Sequence, residues 1–340
     1  MMLGPADFFV LMGRRMNFKR HFFQLTLSAL ACGLMPWAQA QSNWPTKTLR
    51  IVVPFAPGSF TDLSARALAV ELSEQLGQQV VVENKGGAGG TIGADAVAKS
   101  APDGHTLLLT DNSFVMAAGL YPRLPFDPQK DFAQISAIAE SPSIMIARAD
   151  LPAKTVAQLV DAARTKPMDF MFGSGGQGSS AHLATELFLS VTGTKMTHVP
   201  YKGVAAAIAE VIAGRLDISI ASLASGMPHV RSGRVQGFGV SGKERSALLP
   251  QVPTFVEQGF GDYNMSYWWG VAAPAGTPAA VLQRLNQEIA KAAEKPRLRD
   301  SFIAQGARAV TSTPAEQTRR VDDEIRVWKA TIQKANIKVE

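Results

Sequence analysis

Short apolar runs alternate with helical patterns along most of this 340-residue sequence, and this alternation constrains the fold more than any other feature. The first half of the pattern has strand-like runs at 49–54, 80–83 and 106–110, with helical patterns at 62–76 and 92–99 between them. The second half continues with strands at 144–147, 170–172, 198–199, 218–221 and 236–240, and with helices from 155, at 179–191 and at 203–213. A β-α-β order of this kind predicts an α/β fold with a mostly parallel sheet and helices on both faces.

The order of the elements also predicts two domains that are joined by strands. No low-complexity linker separates the two series of strands, so we expect the chain to cross between domains near 143–148 and 266–273. The C-terminal part contains only helical patterns, which lie at 278–294, 297–305 and 314–336. A helical tail of this kind often packs on an earlier domain. The expected division is 1–40 for a signal peptide, 41–145 plus 265–340 for domain 1, and 146–264 for domain 2.

The N-terminus has the pattern of an export signal. A basic cluster at 14–20 precedes an apolar stretch at 22–37, and Ala38-Gln39-Ala40 supplies a small-x-small cleavage motif. Cleavage after Ala40 would remove Cys32, the single cysteine, so disulfides and cysteine-based metal sites are not expected. The expected location is the bacterial periplasm.

The charge of the chain argues against a nucleic-acid partner. The sequence has 34 basic and 28 acidic residues, and cleavage after Ala40 would leave 30 and 27, a net charge of +3. This excess is small and dispersed, unlike the basic patch of a nucleic-acid-binding protein. Beyond residue 40, no run of eighteen apolar residues predicts a membrane-spanning helix.

Three loops share one physical design that suits an anionic ligand. The loops at 54–62, 173–180 and 199–203 are rich in Gly, Ser or Pro, follow a predicted strand and open a predicted helix. The first N–H groups of a helix lack partners and carry partial positive charge, so they attract anions. Three such loops, divided between two domains, predict an anion held in a cleft. The alternative is structural: Ser59 and Ser179 would be plain N-caps and Asp62 a partner in the first helical turn.

Motifs for other functions fail at single positions. The segment 80–111 imitates a dinucleotide-binding unit, but Ile92 stands where the third glycine belongs. The run 237–243 matches a phosphate-binding loop until Glu244 replaces the required Ser or Thr. Lys243 also breaks the nucleophile elbow that begins at Gly239. No two of the four histidines after residue 40 have metal-ligand spacing, so we interpret these histidines as structural hydrogen-bonding residues.

At these residues the sequence resembles the periplasmic solute-binding receptors of tripartite tricarboxylate transporters, known as Bug receptors. The resemblance covers nearly all of 44–340. The most specific matching stretches are 51–58 with Asp62 and Arg66, 86–93, 102–104, 124–127, Gly173-Ser174 with Gly178-Ser179, 198–203 and 273–278.

The resemblance implies two doubly wound α/β domains that close like a flytrap over a ligand in the cleft between them. The implied ligand is a small carboxylate: a dicarboxylate, a tricarboxylate, an acidic amino acid or an aromatic acid. The implied partners are integral-membrane transporter subunits, and the receptor is expected to be a monomer without cofactor or metal. Together with the three loops, the resemblance gives a set of candidate ligand-binding residues: Ala56, Gly58, Ser59, Phe60, Asp62, Ser113, Ser174, Gly178, Ser179, Tyr201, Gly203 and Ser222.

The pair Ser59-Phe60 departs from the family pattern, which usually has two glycines where Gly58-Ser59 stands. Ser59 therefore either adds a hydroxyl to the site or narrows it. Phe60 is expected at the cleft mouth, where its ring would favour a ligand with an apolar or aromatic body over a small hydroxylated acid such as citrate. The alternative places Phe60 in the core.

The expected function is binding of a small carboxylate solute and its delivery to a membrane transporter. The alternative is an exported α/β hydrolase that acts on a small carboxylate or ester. A hydrolase requires a nucleophile with its base, and the sequence has neither an elbow nor a histidine in a recognisable triad context.

Overall fold

The computed structural model describes residues 44–334 and 337. The expected signal segment with its cleavage site and Cys32 lies outside the described residues. The described part contains ten strands: β1 (Leu49–Val53), β2 (Val80–Asn84), β3 (Thr106–Asp111), β4 (Phe132–Arg148), β5 (Met171–Ser174), β6 (Thr197–Pro200), β7 (Ile218–Ser222), β8 (Val235–Val240), β9 (Ser266–Pro274) and β10 (Arg308–Ala309).

Ten α-helices alternate with these strands or follow them. They are α1 (Phe60–Leu76), α2 (Thr91–Ala98), α3 (Asn112–Leu120), α4 (Val156–Thr165), α5 (Ser180–Thr192), α6 (Val204–Ile212), α7 (Leu223–Arg231), α8 (Ala279–Glu294), α9 (Pro296–Ala304) and α10 (Pro314–Lys334). None of these helices has both the length and the hydropathy that crossing a membrane requires.

Strand β4 is the element on which the whole sheet is organised, because its two halves have different neighbours. Residues 132–142 pair with β9, whereas residues 143–147 pair with β7. Strand β10 pairs with the first half, and β8 pairs with residues 144–148. The change of partner falls between Pro142 and Ser143, where proline supplies no N–H group to a ladder.

The strands form two groups, which we call the first and second sheets. The first sheet has the order β2-β1-β3-β9-β4, with β1 parallel to β2 and β3 and with β9 antiparallel to β3 and β4. The second sheet has the order β4-β7-β5-β6, with β5 parallel to β6 and β7 and with β7 antiparallel to β4. Buried aliphatic residues of β4, α6, α7 and β8 pack together on the second sheet.

The C-terminal helices pack on the first sheet, as expected for a helical tail. Helix α10 lies against α3 and β4, and α8 lies against α1 and β4. The amide nitrogen of Asn286 on α8 donates to the carbonyl oxygens of Ile135 and Ser312, both at 2.8 Å. The indole nitrogen of Trp268 on β9 donates to Glu324 on α10 at 2.8 Å.

The sequence prediction of a mostly parallel sheet is wrong, because β9 and β4 run antiparallel to their neighbours. The reason is topological: the chain returns from the second sheet and inserts β9 between β3 and β4. The C-terminal part is also not purely helical, since β10 pairs with β4.

Three further elements were not predicted: α3, the first half of β4, and α7. Thr254 and Glu257 form the two hydrogen bonds of a capping box, each 2.9 Å, but turns follow them instead of a helix.

Candidate ligand-binding site

A small cavity lies where the carboxyl ends of strands from both sheets meet. Its lining comes from the ends of β3 and β7, the starts of α1, α5, α6 and α7, and the first half of β9. The lining residues are Phe55, Ser59, Thr61, Asp111, Gly175, Ser179, Ser180, Ala181, Val204, Ala221, Ser222, Ser225, Tyr267 and Trp269. The cavity volume is about 30 Å³, enough for about two or three water molecules. In open α/β sheets, ligands bind at this edge of the strands.

Ser59 presents a hydroxyl to this cavity that has no partner in the described structure. Ser59 occupies the N-cap position of α1 with extended backbone angles, but its side chain accepts no capping hydrogen bond. The residue is only 4% exposed, and its Oγ atom has no hydrogen-bond partner. An unpaired buried hydroxyl costs about 1–3 kcal/mol, so this group is available to a ligand.

The start of α5 offers backbone donors to the same cavity. Ser179 caps the helix conventionally, because its Oγ accepts from the N–H of His182 at 3.3 Å. The next two residues, Ser180 and Ala181, line the cavity, and N–H groups in the first turn have no partner within a helix. Ser222 caps α7 in the same way, accepting from the N–H of Ser225 at 3.2 Å. With Val204 at the start of α6, three helix N-termini thus line the cavity from the second sheet.

Asp111, at the end of β3, contributes the only charged side chain among the described lining residues. It is the N-cap of α3: its Oδ1 atom accepts from the N–H of Ser113 at 2.9 Å and also from the hydroxyl of Ser113. The other oxygen, Oδ2, accepts from the hydroxyl of Ser180 at 3.5 Å. Burial raises the pKa of Asp111 to about 6, although these hydrogen bonds act to lower it. The carboxylate is thus ionised above that pH without a cation beside it.

Aromatic rings form one wall of the cavity. Tyr267 and Trp269 are two residues apart on β9 and therefore face the same side of the sheet. Their ring centroids are 6.3 Å apart with an interplanar angle of 20°. Trp269 lies opposite Asp111 in the strand register, and its indole nitrogen donates to Thr61 at 2.9 Å. With Phe55, these rings give the site an apolar wall.

Loops of the two sheets touch each other around the cavity. The N–H of Ala56 donates to the carbonyl oxygen of Lys202 at 3.2 Å. The hydroxyl of Tyr121, just after α3, donates to the carbonyl oxygen of Gln177 at 3.1 Å. Gly89 approaches the same loop so closely that a Cβ atom there would lie 2.5 Å from that carbonyl oxygen. Loops of both sheets are therefore in direct contact beside the cavity.

Of the candidate residues from the sequence, Ser59, Ser179 and Ser222 line the cavity. Ser113 lines a smaller adjoining cavity that shares Asp111. Four others have their backbones in the surrounding loop contacts: Ala56, Gly58, Gly178 and Gly203. Tyr201 packs against the apolar cluster of the second sheet.

The expectation that Phe60 lies at the cleft mouth is wrong. The ring is 1% exposed and packs edge-on between Trp269, at a centroid distance of 4.4 Å, and Phe302, at 5.3 Å. Helix α1 begins at Phe60, and its first turn directs this ring under the helix toward α9. The core alternative is the one that the structure adopts, and the apolar wall comes from other rings.

Asp62 does not line the cavity, and its carboxylate instead holds neighbouring residues of the fold together. Its carboxylate accepts from the N–H of Gly58 at 3.2 Å, from Arg66 at 3.0–3.1 Å and from Asn84 at 2.9 Å. Burial alone would raise the pKa of Asp62, but these hydrogen bonds and the Arg66 charge lower it. Asp62 thus holds the loop that carries Ser59.

Ser174 is fully buried below the second loop and does not reach the cavity lining. Its hydroxyl lies 2.6 Å from Nε2 of His198 and accepts from the N–H of Gly176 at 3.2 Å. The His198 ring stacks on His182 at a centroid distance of 4.0 Å. Burial lowers the pKa of His198 to about 4; burial and the neighbouring His198 lower that of His182 to about 3.

A serine and a histidine in contact resemble part of a hydrolytic triad, and the sequence did not predict this contact. Ser174 is nevertheless sealed from solvent, and a histidine of such low pKa is a weak general base at neutral pH. The pair instead fixes the loop that leads to α5. Within the described residues, no group of acidic, histidine or cysteine side chains has the arrangement of a metal site.

Asp111 is the functional candidate that sequence reasoning missed, together with the aromatic wall. The available signal was its position directly after a buried strand, the same signal that drew attention to the other loops. Trp268 is buried and bonded to Glu324, whereas Trp269 lines the cavity.

Comparison with known proteins agrees with this architecture. A model of the tripartite tricarboxylate transporter family receptor matches residues 64–337. The solved structure of the periplasmic binding protein BugD is 30% identical and covers 87% of this chain and 100% of its own, with a TM-score of 0.84.

Two further solved structures hold ligands. MatC from Rhodopseudomonas palustris, with bound malate, is 30% identical and covers 85% of this chain and 100% of its own, with a TM-score of 0.83. Rpa4515 from R. palustris, with adipate, is 33% identical and covers 87% and 99%, also with a TM-score of 0.83. On the match over residues 64–337, this chain belongs to the tripartite tricarboxylate transporter receptor family, whose members are solute-binding receptors and not enzymes.

Proposed function

We propose that the protein binds a small carboxylate solute in the cavity between the two sheets and delivers it to the membrane subunits of a tripartite transporter. The observation that carries this proposal is the convergence on one cavity of the Ser59 hydroxyl, which has no partner, and the first turn of α5. Donors of this kind hold a carboxylate without an arginine. The malate and adipate complexes of the two similar proteins support a carboxylate as the ligand class.

The proposal includes a closing motion of two domains. Domain 1 would comprise 41–145 plus 265–340 and domain 2 would comprise 146–264, after removal of a signal peptide in the periplasm. The change of strand partner on β4 at Pro142 and Ser143 lies beside the proposed boundary and supports it. A ligand would enter between the parted loops and shift the equilibrium toward the closed form. The receptor would act as a monomer.

The test is a thermal-shift screen of the purified protein, stripped of retained ligand, against mono-, di- and tricarboxylates and amino acids. A ligand at a hundred times its Kd should stabilise the protein by about 2.7 kcal/mol. Titration calorimetry then gives the Kd, and the Ser59→Ala variant should bind the same ligand more weakly. Failure of every acid in the screen to raise the melting temperature would contradict the proposal. Uptake of the identified acid by cells with and without the receptor tests delivery to a transporter.

A further inference from the structure

The cavity described above carries a negative charge of its own, which is unusual for a site that is to hold an anion. Asp111 is 3% exposed and lines the cavity, and the other described lining residues include no lysine, arginine or histidine. The remaining titratable lining group is the Tyr267 hydroxyl, whose pKa burial raises well above its usual value, so it stays neutral. At neutral pH, the described lining therefore has one negative charge and no cationic side chain.

The hydrogen bonds of Asp111 leave one of its oxygens largely free. Oδ1 accepts two hydrogen bonds from Ser113 on α3, whereas Oδ2 has a single contact, at 3.5 Å, with Ser180 on α5. An ionised carboxylate has about four acceptor positions, so Oδ2 can accept at least one more strong donor. The groups facing Asp111 from β9 are the Trp269 and Tyr267 rings, and neither supplies a cation.

A ligand that is only a carboxylate fits this charge distribution poorly. A dicarboxylate would add two negative charges next to a third in a buried cavity, and like charges at short range disfavour one another. A ligand with one carboxylate and one ammonium group brings no net charge. Its carboxylate matches the donors of Ser59 and of the α5 start, and its ammonium matches the free oxygen of Asp111.

We infer that the ligand of this receptor is a zwitterion that carries a positively charged nitrogen as well as a carboxylate, with Asp111 as the partner of the nitrogen. This inference rests on the proposed function, because it concerns the same cavity. It makes Asp111 the residue that distinguishes this receptor from one that binds dicarboxylates. The Tyr267, Trp269 and Phe55 rings then contact the carbon body between the two charged groups.

The test uses α- and ω-amino acids, each compared with its deaminated acid and with the dicarboxylate of the same chain length. Affinities are measured by calorimetry at pH 7.5 on the wild type, on Asp111→Asn, and on Asp127→Asn. Asparagine also caps helices, so the first variant keeps the hydrogen bonds to Ser113 while losing the charge. Asp127 is the matched control, since it also accepts backbone N–H bonds, from Gln129 and Lys130, but does not line the cavity.

We expect at least one amino acid to bind the wild type at least tenfold more tightly than its deaminated acid and than the dicarboxylate of the same chain length. A charge-assisted hydrogen bond corresponds to a factor of about 10–150 in affinity. In Asp111→Asn that preference should disappear and the dicarboxylate should bind more tightly than before, whereas Asp127→Asn should behave as the wild type. Thermal unfolding confirms that each variant is folded.

Three outcomes are informative in different ways. Tighter binding of dicarboxylates than of amino acids to the wild type, unchanged in Asp111→Asn, would overturn the zwitterion inference and leave the proposed function standing. An amino acid that binds equally well to wild type and Asp111→Asn would overturn the role of Asp111. Failure of all three classes to bind would overturn the proposed function and this inference together.

Discussion

The Oδ2 atom of Asp111 lies 3.5 Å from the hydroxyl oxygen of Ser180, although the two residues are 69 positions apart and belong to different sheets. Asp111 ends a strand of the first sheet, and Ser180 begins a helix on the second. Their contact joins the two sheets beside the cavity and places a carboxylate next to a helix N-terminus.

Replacement of Ser59 by alanine should weaken ligand binding by about tenfold or more without loss of stability. The hydroxyl has no partner in the protein, so its removal takes nothing from the fold, while a hydrogen bond to a charged ligand contributes about 1.5–3 kcal/mol. Calorimetric titration and thermal denaturation measure the two effects. The matched variant is Ser179→Ala, which removes a hydroxyl that does cap a helix and should cost about 0.5–2 kcal/mol of stability. A large stability loss in Ser59→Ala would contradict the assignment.

Replacement of Phe60 by alanine should cost about 3–5 kcal/mol of stability, because the ring is packed between Trp269 and Phe302. The ranking of ligands by affinity should stay the same, since the ring does not line the cavity. Chemical denaturation and a two-ligand titration provide the measurement. A stable variant with an altered ranking of ligands would show that Phe60 contacts the ligand.

Replacement of Tyr121 by phenylalanine should weaken ligand binding by destabilising the closed form of the protein, because the Tyr121 side chain does not itself contact the ligand. The Tyr121 hydroxyl joins the two sheets by its 3.1 Å bond to Gln177 and is not part of the cavity lining. A net contribution of about 0.5–1.5 kcal/mol to the closed form corresponds to a loss of roughly two- to tenfold in affinity. Small-angle scattering without ligand should show a shift toward the open form. Unchanged affinity and scattering would mean that this bond does not stabilise closure.

The buried histidine pair predicts acid sensitivity. An unfolded histidine titrates near 6.5, whereas His182 and His198 have pKa values of about 3 and 4 in the fold. The unfolded state thus binds more protons between these values, so their contribution to stability is complete above pH 6.5 and is lost as the pH falls toward 4. Denaturation between pH 4.5 and 7.5 should show a shallower decline for His182→Gln than for the wild type. An equal decline in both would contradict the prediction.

Asp111 should act in the opposite direction, because burial raises its pKa to about 6 from an ordinary value of 3.8. The folded state binds the extra proton here, so the stability contribution is complete below pH 3.8 and is lost as the pH rises through 6. Asp111→Asn should therefore be more stable than the wild type above pH 6.5, by about 3 kcal/mol at most. Denaturation at pH 5 and pH 7.5 measures the difference, which should be larger at the higher pH. A destabilised variant at pH 7.5 would show that the carboxylate is needed for the fold.

The sequence predicts the local elements of this protein well and its long-range pairing poorly. Ser179 is an example of success: the structural alternative predicts that it caps the following helix, and it does, because a cap is determined within a few residues. The first half of β4 is an example of failure, because Gln134, Ser136 and Glu140 interrupt its apolar pattern. Two of these residues find their partners in the C-terminal segment, since Ser136 bonds to Ser312 and Glu140 to Arg308. No local pattern contains that pairing.

The same limit explains the errors at the site. Phe55 and Phe60 belong to one loop and have the same side chain, yet the Phe60 ring lies in the core and the Phe55 ring lines the cavity. The difference comes from Trp269, which lies more than 200 residues later in the sequence and packs its ring against Phe60. Asp111 was missed for a similar reason. The described lining around it has no cationic side chain, and that lining comes from five other segments of the chain.

The insertion of β9 between β3 and β4 has a consequence for how the chain comes to its native form. Strands β3 and β4 are both made early, but neither gains its shared neighbour until residue 274 is available. Contacts this distant in sequence form slowly, because a long loop must close before any of them stabilises the chain. Most of the polypeptide thus remains without its central ladder during synthesis. Folding of the first sheet is therefore expected to finish only after β9 is available to both of its neighbours.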